Sequence, residues 1–377
     1  MHGLRILFKT FDFSVFVAVL LLSGLGLLTM YSAEGTEQYF GTQLSWILIA
    51  CVAFFLALLP DYRFLRLGNA SFYLFIGITI LLGLVLLIGE VNLGAQRRFD
   101  LGFLSIQPAE PAKLVLIIVL AKYFSKRHEA IGAVRHVVVS GLYTLVLFGL
   151  IFIQPDFGSG IILSLIWLGM VLVAGIKFRH LALVFMLGVV SFAMLWQFVF
   201  FEYQKQRIMT FLDPLSDIQG AGYNAYQSTV AVGSGQLFGK GIGYGTQSKL
   251  SFLPEYQTDF IFAAFAEEWG FLGVVGLFAL FGFLIVRIMW YAVHAASNFE
   301  TLFASGVAIL LVSHFFIHIG MNIGLLPVTG TTIPFLSYGG SHLLIEYVAV
   351  AMVLAMSRYA KIQKNAPDTE ALFLSNK

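Results

Sequence analysis

The stretch SFLPEYQTDFIFAAFAEEWGFLG, residues 251–273, sets four carboxylates, Glu255, Asp259, Glu267 and Glu268, among aromatic and small apolar side chains. Ionisable groups in so apolar a setting are costly, and they persist where a cavity or a counter-charge receives them. Three further stretches carry such groups. GEVNLGAQRRFDLGFLSIQPAEPAKLVL, residues 89–116, supplies Arg97 and Arg98, then Glu110 and Lys113, three apart and therefore on one helix face. IQPDFGSG supplies Asp156, and FEYQKQRIMTFLDPLSD, residues 201–217, supplies Lys205 and Arg207. The planar five-donor fork of Arg207 suits a phosphate, whereas Lys205 suits a lipid headgroup.

Each group also has a bland reading. Glu110 and Lys113 form either a neutralising pair that tolerates burial or the wall of an ionisable cavity. Asp156 is placed to cap the helix that follows it, and Asp213-Pro214 reads as a turn. A helix begun at Pro254 puts Glu255, Asp259 and Ala263 on one face, with Glu267 following. Glu268 falls nearly opposite Asp259, because nine steps of about 100° leave half a turn. Acids in a first turn are favoured by the helix terminus, which accounts for Glu255 and Asp259 but not for Glu267 and Glu268 deeper in. The four acids are therefore not one cluster.

The elements that must hold these residues are membrane helices. Of 377 residues 59% are hydrophobic and 11% charged, with mean hydropathy +0.88, where a soluble domain carries about a quarter charged residues. Apolar runs of spanning length fall at about 12–31, 42–60, 71–89, 108–124, 137–154, 158–175, 181–200, 259–288, 302–324 and 342–359. The expected fold is all-α, a single integral domain over 1–377 with about ten spans, a large extracytoplasmic loop at 201–258 and a short cytoplasmic tail at 360–377. Run 108–124, with its charges, and the short QPDFG turn at 154–158 are the places where a re-entrant hairpin would change the count. With both termini cytoplasmic, fifteen of the 22 Lys and Arg lie on the inner side and seven on the outer, the bias expected of short cytoplasmic loops.

That topology accounts for the net charge of +2, and no dense basic patch with interleaved aromatics points to nucleic acid. The first apolar run follows basic residues without a small-x-small cleavage site and reads as a retained span. Cys51, the single cysteine, excludes an intrachain disulfide and a thiolate cluster, and reads as a buried thiol.

The 201–258 loop is too long for a bare connector. It contains an amphipathic piece, Tyr223 to Val232, and then the alternating Gly239, Gly241, Gly243 and Gly245, which permit positive φ or close backbone approach. Lys240 is not part of a P-loop, since Ser234 and Gly241 stand where that motif needs glycine and Ser or Thr. NIGLLPVTGTTIPFLSYGGSHLL, residues 322–344, interrupts helix with Pro327, Pro334, Gly330, Gly339 and Gly340. It reads either as a broken re-entrant element lining a site or as an outer connector. His314 and His318 read as packed or hydrogen-bonded. A divalent cation held by carboxylates and substrate phosphates is not set by any spacing here.

GAQRRFDLGFLSIQPAEPAK, QPDFGS, GYNAYQSTVAVGSG, GKGIGYGTQSKLSFLPEYQTDFIFAAFAEEWG and GLLPVTGTTIPFLSYGGS, taken in order along nearly every span, resemble the SEDS family (shape, elongation, division and sporulation). GYNAYQS and GTQSKLSFLPEYQTDFIF are more similar to its rod-shape elongation branch than to its division branch. The resemblance implies a ten-span peptidoglycan glycosyltransferase of the bacterial inner membrane, with its site toward the extracytoplasmic side. It would join lipid II units by β-1,4 bonds beside a class B penicillin-binding protein and other elongation-complex membrane proteins. It implies Asp259 as general base, with Glu255 tuning it, and Arg97 and Lys113 stabilising the leaving diphosphate, helped by Arg207 and Arg98. Glu110 and Asp156 would orient cations or coordinate Mg2+ or Mn2+, while Gln107 and Glu267 complete the list of site residues. Arg98, Ala109 and Gln257 stand where an aromatic, a serine and a histidine are common in the family, which touches substrate grip more than activity. A lipid-precursor flippase, or a non-catalytic scaffold of the wall-synthesis complex, are the competing readings; ten spans and intramembrane Glu/Lys pairs also serve transporters.

Overall fold

The computed structural model describes residues 12–32, 37–92, 95–100, 105–127, 134–198, 200, 202–213, 222–250 and 252–365. Pro214 of the expected turn, and the expected tail beyond residue 365, lie outside the described residues. In chain order the elements are α1 (Phe13–Ser32), α2 (Glu37–Ala57), α3 (Arg63–Leu67), α4 (Ala70–Ile88), β1 (Glu90–Asn92), β2 (Ala95–Asp100) and β3 (Ser105–Ile106). There follow α5 (Ala109–Ser125), α6 (Val134–Ile153), α7 (Phe157–Val173), α8 (Phe178–Phe198), α9 (Glu202–Leu212), α10 (Tyr223–Ser234) and α11 (Thr246–Lys249). The last three are α12 (Ile261–Val293), α13 (Asn298–Asn322) and α14 (Gly340–Asn365).

All ten apolar runs become helices. Eight, α1, α2, α4, α6, α8, α12, α13 and α14, have the length and apolar character of membrane spans. The other two, α5 and α7, have 17 residues each. They rise about 26 Å, just short of a core of about 30 Å. A departure from an all-helical chain is the small antiparallel sheet β1-β2-β3, which pairs Glu90 with Arg98 and Phe99 with Ile106.

Helix α13 is the axis of the bundle. It packs on α5, α7, α10 and α12, and 72% of its apolar window is buried, against none of that of α8. Helix α14 lies along α2, and α1 along α12. At the foot of α12, Asp12 accepts hydrogen bonds from Arg287 and Tyr291 and so ties the start of the chain to that helix.

Helix α12 is broken. Gly270 adopts φ 64°, ψ −169°, and the segment after α10 docks into the gap. Its amides at Lys240 and Gly241 donate to the carbonyls of Glu267 and Glu268, both at 3.0 Å, while Phe271 and Leu272 donate to the carbonyls of Gln236 (2.8 Å) and Leu237 (3.1 Å). A Cβ at Gly239 would land on the Glu268 carbonyl, and one at Gly270 on the Gly239 amide. Glycine is required here because two backbones touch.

Candidate functional site

Asp259 lies in a turn, not in the helix expected from Pro254. Residues 254–260 precede α12, Glu255 has φ 51°, and its carbonyl receives the amides of Thr258 (3.1 Å), Asp259 (3.1 Å) and Phe260 (3.4 Å). The shared helix face of Glu255, Asp259 and Ala263 is thus replaced by a tight turn that lifts the Asp259 carboxylate beside Gly330. A Cβ on Gly330 would stand 3.6 Å from Asp259 Oδ2. Among the described residues no side chain or amide hydrogen-bonds that carboxylate. Burial, and then the charge of Glu255, push its pKa up to about 6 against the pull of Arg207, Arg97 and Arg98.

Next to Gly330 opens a small cavity, lined by Arg97, Pro155, Phe157, Phe200, Arg207, Ile208, Pro327, Val328 and Thr329. Strand β2 delivers Arg97. Period-two alternation points it one way and the exposed Arg98 the other. The Arg97 guanidinium is anchored on the carbonyls of Gln154 (3.2 Å) and Pro155 (2.6 Å), at the turn between α6 and α7. Arg207 comes from α9 and lines the same cavity. Both are cations on an otherwise largely apolar surface, a setting that favours an anion with an apolar tail.

Asp156 caps α7. Its Oδ1 accepts from the Ser159 amide (3.1 Å) and its Oδ2 from Gln107 Nε2 (2.9 Å). Gln107 itself is held through its amide by Ser341 Oγ at 3.2 Å. Both residues join α5, α7 and α14 just behind the cavity wall; neither lines it.

Glu110 and Lys113 require a correction, because they are not a wall of that cavity. Lys113 is 1% exposed, with Nζ 2.8 Å from Glu110 Oε1 and 3.2 Å from His314 Nε2. His314 gives its Nδ1 hydrogen to the Thr332 carbonyl (3.1 Å), so Nε2 is the lone-pair side that accepts from the ammonium. Glu110 Oε2 faces His342 Nδ1 at 2.9 Å, and His342 Nε2 lies 2.9 Å from Glu346 Oε1. Glu346 Oε2 in turn accepts the Phe335 amide at 2.9 Å. Lys113 thus belongs to a buried network across α5, α13 and α14 and does not line that cavity.

Glu267 is corrected as well. It is fully buried but turned away from the cavity, accepting from Lys240 Nζ (2.6 Å), the Thr246 amide (2.9 Å) and hydroxyl (3.0 Å), and the Gln247 amide (3.1 Å). Glu268 accepts the Gly243 amide at 3.1 Å. These two acids clamp the glycine-rich segment onto α12, which is the work of Lys240 also. The helix begins at Ile261 and not at Pro254, so the spacing from Asp259 to Glu267 is not a helical one and places Glu267 on another face.

One group of three potential metal ligands among the described residues has its atoms within 4.8 Å of one another: Glu110, His314 and His342. The Lys113 ammonium bonds to two of them. Asp156 is engaged by other donors. These residues do not fit a resident divalent ion, because a lysine already supplies the positive charge.

Sequence reading missed Asn322, Ser337, His342 and Glu346. Asn322 Nδ2 donates to the Asp259 carbonyl at 3.0 Å, and Ser337 Oγ to the Thr258 carbonyl at 2.8 Å. The available signal was a polar residue inside or at the end of an apolar span, and His342 with Glu346 at i,i+4. His314 and His318 are hydrogen-bonded as expected, the latter to the Thr331 carbonyl at 2.7 Å.

A broken-helix bundle with a half-buried acidic turn beside a two-arginine, apolar-walled cavity has the form of a polytopic membrane protein whose cavity suits an amphipathic anion. Comparison narrows this further. A family model described as cell cycle protein, covering FtsW, RodA and SpoVE, matches residues 6–362, and the chain belongs to that family. It is 38% identical over 290 residues to the peptidoglycan glycosyltransferase MrdB of Escherichia coli K12, covering 77% of this chain and 78% of the relative. It is 34% identical over 360 residues to stage V sporulation protein E of Bacillus subtilis, covering 93% and 98%. Among solved structures, a chain of a peptidoglycan synthase complex that coordinates polymerization and crosslinking superposes with a TM-score of 0.79 at 30% identity, covering 93% of this chain and 98% of that one. The rod shape determining protein RodA of Thermus thermophilus gives 0.70 at 29% identity, covering 92% and 97%.

Proposed function

We propose that this chain is a peptidoglycan glycosyltransferase that polymerises lipid II into β-1,4-linked strands during cell elongation, with Asp259 as general base. The observation that carries it is a carboxylate without a hydrogen-bond partner among the described residues, standing next to a cavity lined by Arg97 and Arg207. The MrdB and SpoVE relatives and the synthase-complex neighbour support the reading.

The acceptor sugar's 4-hydroxyl attacks the anomeric carbon of the donor. The new C–O bond forms as the bond to the diphosphate breaks, and undecaprenyl diphosphate leaves with the electron pair. Inversion follows from a single displacement, and the hydroxyl proton passes to Asp259. A base whose pKa sits at about 6 is ionised at neutral pH and still accepts a proton. Arg97 and Arg207 neutralise the diphosphate where its charge grows, a stabilisation that is strong in a water-poor site. The apolar wall of Phe157, Phe200, Ile208 and Val328 suits the first isoprene units.

The inside-positive charge bias supports cytoplasmic termini and an extracytoplasmic site. The synthase-complex neighbour supports a class B penicillin-binding protein as crosslinking partner. The test is purified protein with labelled lipid II in detergent, where no sided transport is required, so polymer formation separates this reading from a flippase. Wild type should make glycan strands and folded Asp259→Asn should not; normal polymer from that variant would overturn the assignment.

A further inference from the structure

Turn residues ordinarily show their carbonyls to water. In the turn before α12, three consecutive carbonyls are instead each held by a donor. Gln257 O accepts the Tyr338 amide at 2.8 Å, Thr258 O accepts Ser337 Oγ at 2.8 Å, and Asp259 O accepts Asn322 Nδ2 at 3.0 Å. The donors come from α13 and from the irregular segment that follows it.

Asn322 is fully buried and engages both ends of its amide. Its Nδ2 donates to the carbonyls of Asp259 and His318 (2.7 Å), and its Oδ1 accepts the Ala263 amide (3.2 Å), while the single Ser228 hydroxyl hydrogen is directed at the Asn322 backbone carbonyl (2.9 Å) with Oδ1 at 3.3 Å. A side-chain amide has two donor hydrogens on nitrogen and lone pairs on oxygen only, so this orientation is the one that satisfies two carbonyls and an amide together. The side chain therefore grips the chain on both sides of the start of α12. Ser337 Oγ, while donating to Thr258 O, accepts the Ile333 amide at 3.0 Å. The segment carrying it is pinned in turn by Gln43 Nε2 on the Ser337 carbonyl (3.2 Å) and by Glu346 on the Phe335 amide.

We infer that Asn322 and Ser337 are positioning residues for Asp259: they fix the backbone from which its carboxylate reaches the reacting hydroxyl. The inference rests on Asp259 being the base. The backbone is over-determined, while the carboxylate, unbonded among the described residues, feels the charges of Glu255 from its own turn, Arg207 from α9, and Arg97 and Arg98 from β2. This is the division of labour a general base needs: a fixed origin and an uncommitted oxygen. Displacement of about 1 Å at such a site costs on the order of a hundredfold in rate.

The experiment uses the full-length protein in detergent with fluorescent lipid II, comparing Asn322→Ala, Ser337→Ala, Asp259→Asn and, as a control, Ser23→Ala. Ser23 is as buried as Ser337 and bonds Tyr347 at 2.9 Å, remote from the turn in its partners. Expected for Asn322→Ala is a kcat loss of about tenfold to a hundredfold, and for Ser337→Ala a smaller loss, with KM within about twofold of wild type. The acid limb of the rate profile should also move below about pH 6 in both, as a loosened turn admits water to Asp259. Wild-type kcat and acid limb in both variants, with Asp259→Asn inactive, would overturn the positioning role and leave the base standing. Activity in Asp259→Asn would overturn the base reading itself. Equal losses in Ser23→Ala would reduce the effect to general destabilisation and also overturn the inference. If Asn322→Ala fails to fold, Ser337→Ala decides alone.

Discussion

Lys113 Nζ stands 2.8 Å from Glu110 Oε1 with both side chains buried, and the same ammonium reaches His314 Nε2 at 3.2 Å. A buried ion pair contributes little over an apolar substitute, but removal of one partner leaves a bare charge. Lys113→Met should therefore destabilise by about 3–5 kcal/mol. Glu110→Met with Lys113→Met should cost clearly less than the sum of the single changes, read as melting temperatures in detergent. Additive losses would mean the two do not act as a pair.

Asp259 gives a pH prediction with a definite sign. Its carboxyl, pushed up to about 6 by burial and Glu255, must be ionised to accept a proton. Polymerisation should thus rise with pH through about 6 and level off above it. Glu255→Gln removes the neighbouring negative charge and should move that limb to lower pH, measured as initial rate against pH. A limb that shifts upward would contradict the coupling. For Asp259→Asn the expected loss is about a hundredfold to ten-thousandfold.

Arg97 and Arg207 face one cavity, and Arg97 is anchored there on two carbonyls of the Gln154-Pro155 turn. Loss of one preorganised charge at a leaving group costs about a hundredfold to a thousandfold in kcat. Arg97→Ala should show that loss with KM little changed. Arg97→Lys should recover only part of it, because a lysine cannot reproduce the anchored planar fork. Single-turnover rates with lipid II would separate chemistry from binding.

Glu267 and Gly239 belong to the clamp on the broken helix. Glu267→Ala leaves Lys240 and two amides without their acceptor, and Gly239→Ala forces a Cβ onto the Glu268 carbonyl at φ 79°. Both should open the 235–247 segment to protease and lower the melting temperature, while Leu237→Ala, at an exposed side chain of the same segment, should not.

Hydrophobic length made the spans legible: all ten runs become helices within a few residues of the expected ends. Which helix sits at the centre was not legible from hydropathy, because lipid and protein interior are equally apolar. The clue lay in polar residues on α13, Ser305, Ser313, His314, His318 and Asn322, all buried. Motif resemblance nominated Asp259 and Arg97, and the guanidinium in the 201–217 stretch nominated Arg207; the two arginines line one cavity and Asp259 stands in the turn beside it. Spacing failed for Glu255 and Glu267 because residues 254–260, read as the first turns of a helix, form a tight turn ahead of it. Lys113 and Glu110 were misjudged because His314, which meets the lysine, and His342, which meets the glutamate, lie 201 and 232 residues further along the chain, contacts that no local pattern encodes.

The gap in α12 bears on how the protein is made. The carbonyls of Glu267 and Glu268 and the amides of Phe271 and Leu272 find partners in residues 236–241, and a buried backbone group left unpaired costs about 1–3 kcal/mol. The backbone of α12 around its break is therefore not satisfied by the helix alone. It is completed by chain that left the ribosome before it, so the loop ahead of the helix acts as its built-in assembly factor, and a tag or insertion at 236–241 should trap the protein during biogenesis.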